Sequence, residues 1–363
     1  MNHRNRPGTF ARVLLTIAGV FLASSATAQT QPITLRIHHF LPAGSTAHQK
    51  FIAPWCDTIE RESKGKLRCQ IYPAMQLGGK PPELVEQVRT GNVDIVWTLP
   101  GYTPGRFPTM EVFELPFMSK SAEATSRAAW DYYVKHGTED FKEYKPLAFH
   151  VHDDGFIHTR AKMVRTLDDL RGLKIRAGTR LTARLVELLG GTAVPMPVTA
   201  IHDALVKGSI DGTTVPWEVV PAIKLQEVAH YHTETDPLVP ALYTSVFVFA
   251  MNKAKYESLP PELKAVIDRN SGRELSTQIG RTFDEASAPA RRIALSIAGN
   301  EVYTVPYPEM VQWERASVRL YSEWIQDMLK RGLPGQDMVL DARAMVELYS
   351  SPMFGGHGST RKF

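Results

Sequence analysis

Four groupings of side chains in this chain could do chemistry. The first is an arginine that ends a short alternation, Leu173-Lys174-Ile175-Arg176. A strand over these residues puts Leu173 and Ile175 on one face and Lys174 and Arg176 on the other. A planar guanidinium can donate two parallel charge-assisted hydrogen bonds to a carboxylate. Arg176, held at a strand end with its fork aimed into a cleft, would clamp an organic acid; the alternative is a solvated arginine beside a sheet. The second and third groupings are His150-x-His152, followed by Asp153-Asp154, and His230-x-His232. Strand periodicity would put each pair of imidazoles on one face, a possible metal site. Both lack the ligand density of structural zinc, so hydrogen-bonded or exposed histidines are the default. The fourth is Asp153, Asp154, His158 and Glu218, from which a hydrolase or lyase would have to be assembled. Glu218 is also the carboxylate best placed to bridge an acid through a metal ion. There is no nucleophile elbow, phosphate loop or dinucleotide fingerprint.

The elements that must position these groups read as an α/β chain. Asp168 and Asp169 suit the first turn of a short helix, and Gly172 suits its stop. Thr34–Phe40, Leu67–Tyr72 and Val93–Leu99 read as strands separated by helical patterns, which predicts a lobe with a largely parallel sheet. Ligands of such sheets bind outside the carboxyl ends of the strands. That rule nominates His39, Trp97 and Tyr102 in the first half, and Val215, Trp217 and Glu218 after the strand at Ile210–Thr214. Trp97 reads equally well as core. Leu147–His152 is expected to carry the chain into a second lobe, and Tyr243–Asn252, opened by Tyr243, to bring it back. A helical pattern from Ser271 to Ala298 contains Pro289, where a kink or break is expected. Glu309–Lys330 reads as one helix with an apolar stripe through Val318 and Trp324.

The chain has 363 residues, 43% hydrophobic and 22% charged, long enough for two lobes. Arg4, Arg6 and Arg12 precede the apolar run Val13–Leu22 and the small-residue site Ala26-Thr27-Ala28, the pattern of a secretory signal peptide cleaved after Ala28. Removing residues 1–28 removes three arginines and no acids, so the net charge of +4 falls to +1. That leaves no bulk electrostatic case for nucleic-acid binding. No later stretch is long enough to insert into a membrane. An exported chain with two cysteines, Cys56 and Cys69, permits a disulfide. Two buried free thiols are favoured here, because the Cβ geometry of a bridge is demanding.

Leu170-Arg171-Gly172-Leu173-Lys174-Ile175-Arg176 resembles the solute receptors of tripartite ATP-independent periplasmic (TRAP) transporters, the DctP type. Gly91-Asn92-Val93-Asp94-Ile95, Phe113-Glu114-Leu115-Pro116-Phe117 and Gly208-Ser209-Ile210-Asp211-Gly212 agree in order and spacing. The resemblance runs from about Ile33 to about Tyr349. It implies a two-lobed periplasmic-binding-protein fold with a central cleft and a long helix spanning both lobes. Lobe I would take 29–152 and 242–280, lobe II 153–241 and 281–349, with 350–363 a disordered tail. It also implies a salt bridge from Arg176 to the ligand's carboxylate, no cofactor, and delivery to the small and large membrane subunits of a TRAP permease by a monomeric receptor. Two departures matter. Val215 stands where the family often has a side-chain amide, and Phe156 or Ile157 near where acid-sugar receptors carry a second arginine; Arg160 or His158 could substitute. A pocket with one carboxylate clamp and apolar walls favours an aromatic or apolar 2-oxo or 2-hydroxy acid over a sugar acid.

Overall fold

The structure is a computed structural model and describes residues 31–351. The leader with its expected cleavage after Ala28, and the tail beyond Ser351, lie outside the described residues. The strands are β1 (Ile33–His39), β2 (Leu67–Tyr72), β3 (Ile95–Thr98), β4 (Tyr144–Val151), β5 (Gly155–Thr159), β6 (Lys174–Ala177), β7 (Thr192–Pro195), β8 (Gly212–Pro216), β9 (Tyr231–Thr235), β10 (Val246–Asn252) and β11 (Glu301–Val305). The α-helices are α1 (Ala53–Glu62), α2 (Leu84–Arg89), α3 (Ala122–Tyr132), α4 (Arg180–Leu188), α5 (Ile201–Val206), α6 (Lys253–Glu257), α7 (Pro261–Arg269), α8 (Arg273–Leu295), α9 (Tyr307–Ser317), α10 (Arg319–Lys330) and α11 (Gly335–Ser350).

The strands form two sheets, ordered β2-β1-β3-β10-β4 and β11-β9-β5-β8-β6-β7. In the first, β2, β1 and β3 are parallel, and β10 enters antiparallel between β3 and β4. In the second, β8, β6 and β7 are parallel, while β5 runs against both β8 and β9. Three segments pass between the sheets. The first is the three-residue step from β4 to β5 through His152, Asp153 and Asp154; the second is the return from β9 to β10. The third is α8, which packs on α3 and β4 and on the turn Trp217–Val219 after β8. Asp284, part-way along α8, accepts from the backbone N–H groups of Ala122 and Glu123, which locks α8 onto the N-terminus of α3.

Three sequence expectations change here. Cys56 and Cys69 are bridged, not free: α1 lies on β2 with the two Cα atoms 5.7 Å apart, within the range a disulfide spans. Pro289 does not break α8, which is α-helical from Arg273 to Leu295. Pro289 sits on its exposed side, where the carbonyl it leaves unbonded can reach water. The expected helix over Glu309–Lys330 is two helices meeting at Val318, whose side chain is exposed instead of part of the buried stripe. The last helix, α11, packs on α3.

Candidate functional site

Thr166 and Asp169 close a capping box around the 3-10 turn Leu167–Leu170. Gly172, at φ +79°, then turns the chain into β6 in a conformation that favours glycine. β6 pairs with β7 and β8 on its two sides, so its carboxyl end is fixed by backbone on both flanks. Arg176 leaves that end almost wholly buried, at 4% exposure. Its Nε donates to the Met196 carbonyl at 2.8 Å and its Nη1 to the Thr214 carbonyl at 3.1 Å. Among the described residues no carboxylate pairs with it. A buried cation satisfied by carbonyl dipoles, without a counter-charge, is the arrangement expected of a binding group for an anion.

Arg176 faces a cavity with about 450 Å³ of space between atoms, open solvent at its mouth included. Its lining includes Trp97, Tyr102, Arg176, Val215, Glu218 and Tyr243 from the sequence reading. The structure adds residues that the reading missed, chiefly Phe40, His152, Thr214, Ser245 and Phe247. The strand-end rule reaches Phe40 just past β1 and Thr214 within β8. His152, Ser245 and Phe247 lie on the crossover and the antiparallel β10, and carry no comparable signal. One wall is a stack of rings: Phe40 lies on Trp97 with centroids 4.9 Å apart, and Trp97 on Phe247 at 4.8 Å with planes 3° apart. Flat aromatic faces of this kind offer offset stacking or edge contacts to another ring.

Two hydroxyls stand near the guanidinium. The Tyr102 oxygen accepts from the Val198 backbone N–H at 3.1 Å, and Tyr102 also lies within hydrogen-bonding reach of Arg176. The Tyr243 hydroxyl is buried without a hydrogen-bond partner. Tyr243 lies flat across β5 because Gly155 has no side chain; a Cβ there would come 2.2 Å from the Tyr243 ring. Glu218 is 5% exposed, and burial pushes its carboxyl up to about 8. Thr46 approaches that carboxyl from the first half of the chain, and Oε2 makes no hydrogen bond.

Four nominated residues do not line the cavity. His39 points away and bonds His48 through Nε2 at 2.9 Å. Phe156 packs on Trp217, and Trp217 is fully buried with its indole N–H donating to Glu234 at 2.7 Å. His158 bonds His232 at 2.7 Å and the Val215 carbonyl at 3.1 Å. All four side chains are buried in the core, away from the cavity wall. The histidine pairs are structural as well. His150 accepts from the Trp97 indole at 2.8 Å, and burial pulls it down to about 3. Among the described residues no three His, Cys, Asp or Glu side chains are grouped to hold a metal ion. Asp153 is buried beside Ser287, and burial, then the nearby Glu218, raises it well above its usual value. Bridging the two halves near the cavity, Arg180 at the start of α4 donates through Nε to Glu111 at 2.6 Å and through Nη2 to Asp327 at 2.8 Å.

Residues 37–327 match the family described as bacterial extracellular solute-binding protein, family 7, DctP. Three solved structures share the fold. One is a TRAP solute-binding protein from Rhodoferax ferrireducens T118 in complex with copurified benzoate. It is 45% identical, with 88% of this chain and 98% of that one covered at a TM-score of 0.86. The second, from a marine metagenome, is specific for aromatic acid ligands and holds 3-hydroxybenzoate. It is also 45% identical, with 89% and 100% covered and a TM-score of 0.86. The third, from Bordetella bronchiseptica, has (R)- and (S)-mandelate bound. It is 26% identical, with 87% and 99% covered and a TM-score of 0.80.

Proposed function

We propose, from the premise that this chain belongs to the DctP family of bacterial extracellular solute-binding proteins, that it is a receptor for aromatic carboxylates. It binds the acid between its two lobes and delivers it to a TRAP permease. The observation that carries the reading is Arg176, a buried cation with no carboxylate partner at the wall of a largely apolar, ring-lined cavity. The acid's carboxylate supplies the missing counter-charge. The Arg176 guanidinium and the Tyr243 hydroxyl donate to it, and the Phe40–Trp97–Phe247 stack receives the ring. Val215 in the lining, and Phe156 outside it, leave no second cationic group for a polyhydroxy acid. The relatives with bound benzoate, 3-hydroxybenzoate and mandelate support the same ligand class.

Closure follows from contacts that span the halves. Tyr102 follows β3 in the first sheet, and the Val198 N–H it receives follows β7 in the second. A ligand that bonds both halves favours the closed state by its differential affinity for it. The mature receptor is exported and periplasmic, acts as a monomer and returns its ligand unchanged. The test is titration calorimetry of the mature protein with benzoate, mandelate and a sugar acid such as galactonate. Benzoate or mandelate should bind and galactonate should not. Arg176→Ala should weaken benzoate by about 2–5 kcal/mol, the cost of stranding a buried charge. Equal affinity for galactonate, or unaltered benzoate binding in the variant, refutes the reading.

A further inference from the structure

The cavity carries a polar group that carboxylate binding does not use. Arg176 acts electrostatically on Tyr102, His152 and Tyr243, and those groups define the anionic subsite. Glu218 stands apart from them: what shapes its carboxyl is burial and Thr46, and it forms no ion pair with Arg176. It enters the wall from the turn after Pro216, between Pro216 and Val219, which also line the cavity. Its Oε2 is buried and makes no hydrogen bond. A buried carboxyl oxygen left without a partner in an apolar wall costs free energy, so its retention facing a ligand cavity calls for a ligand group that completes it.

The geometry points to Glu218 as a second specificity determinant that receives a hydroxyl group on the aromatic ring of the bound acid. This rests on the aromatic-carboxylate reading and narrows it from aryl acids in general to hydroxyaryl acids. A hydroxyl fits because it both donates and accepts. It can donate to Oε2 when the carboxyl is ionised, and either donate or accept when the carboxyl is protonated. A second carboxylate on the ligand fits poorly, since Arg176 is the one lysine or arginine in the described lining and a second buried negative charge would lack a counter-charge. A bare ring fits poorly because it leaves Oε2 unpaired.

The same calorimetric titration decides it, with benzoate and ortho-, meta- and para-hydroxybenzoate against the parent, Glu218→Gln and Glu218→Leu. At least one hydroxybenzoate should bind the parent about 10-fold or more tightly than benzoate, the discrimination expected of a site built to bond a hydroxyl. Glu218→Leu should bring that ratio to about one, and Glu218→Gln, which can still bond a hydroxyl, should retain most of it. The inference is overturned if no isomer outbinds benzoate in the parent, as when water satisfies Oε2, or if the ratio survives in Glu218→Leu. Should Glu218→Leu not fold, the parent ratio and Glu218→Gln still decide. Loss of the broader reading looks different: no aryl acid binds the parent, or Arg176→Ala leaves benzoate affinity unchanged.

Discussion

Arg176 and Arg180 stand one helical turn apart in sequence and are held in opposite electrostatic conditions. Arg180, half-exposed at the start of α4, is saturated by two carboxylates, Glu111 and Asp327. Arg176, almost fully buried, meets only carbonyl oxygens and hydroxyls. The first joins the halves of the protein to each other, and the second is left for a charge that the protein does not supply. The difference teaches that an arginine's role follows from whether its counter-charge is built in. The more deeply buried cation is the one without it, which makes Arg176 the costlier to maintain and the stronger anion receptor.

That contrast can be broken at either arginine. The largest effect is expected at Arg176: thermal denaturation of Arg176→Met with and without benzoate should show the ligand-induced rise in melting temperature abolished, because ligand stabilisation operates through binding to the native state. If the rise persists, the anion is held elsewhere. A lesion remote from both arginines calibrates this. Reducing the Cys56–Cys69 bridge, which ties α1 to the edge strand β2 of the first sheet, should lower stability by about 2–3 kcal/mol for so short a loop. Benzoate affinity of the folded protein should stay within a few-fold. A large loss of affinity on reduction would mean that the outer edge of the first sheet shapes the cavity.

Arg180→Ala should cost less affinity than Arg176→Ala, about 1–2 kcal/mol, and mainly through faster ligand release, since it loosens closure and leaves the anion subsite intact. Stopped-flow displacement measures this; an affinity loss equal to that of Arg176→Ala would erase the distinction between the two. The variant should also alter the pH dependence of closure, because Glu111 is raised by burial and held down in opposition by Arg180.

The smallest effect is expected in the pH profile of the ligand-free protein. Burial lowers His150 to about 3 and His158 to about 4 from the usual 6.5. Their unfolded forms bind protons first, so stability should fall as pH drops from about 6.5 towards 3. Burial raises Glu114 and Glu218 from 4.5 to about 8, so they are neutral in the folded state. Their contribution is complete below 4.5 and declines as pH rises towards 8. Urea midpoints across pH 4–8 should therefore peak inside that interval. Benzoate should flatten the alkaline limb less than a hydroxybenzoate that bonds Glu218. Equal flattening by both would detach Glu218 from the ligand.

Much of the fold was legible because its signals are local. Strand patterns located all five strands of the first sheet and missed β5, β9 and β11 of the second, and Asp168, Asp169 and Gly172 marked the turn that delivers Arg176. Boundaries failed where local pattern met tertiary packing. Val318 belongs to an unbroken apolar stripe in sequence and sits exposed at a joint between helices. Pro289 is a helix breaker in sequence and a tolerated exposed position on a helix anchored by Asp284.

The site divides the same way. Arg176, Val215 and Glu218 sit at or just past strand ends and could be named from the chain alone, because a strand end and a basic or acidic side chain are both readable there. Which of Trp97, Trp217, His39, Phe156 and His158 would face the cavity could not be read. A strand turns alternate side chains to opposite faces, and only the packing of helices on one face decides which face is inside. The cysteines were undecided for a related reason, since a bridge needs two Cα atoms within a narrow distance and sequence separation does not supply it. By itself, then, the sequence determined the two-lobed α/β class, carried the pattern of an export signal and nominated Arg176 as the group to answer a carboxylate. The tertiary structure decided that this arginine has no carboxylate partner among the described residues, that a stack of rings stands beside it, and that Glu218 faces the same space, because all three depend on segments far apart in the chain brought to one cavity.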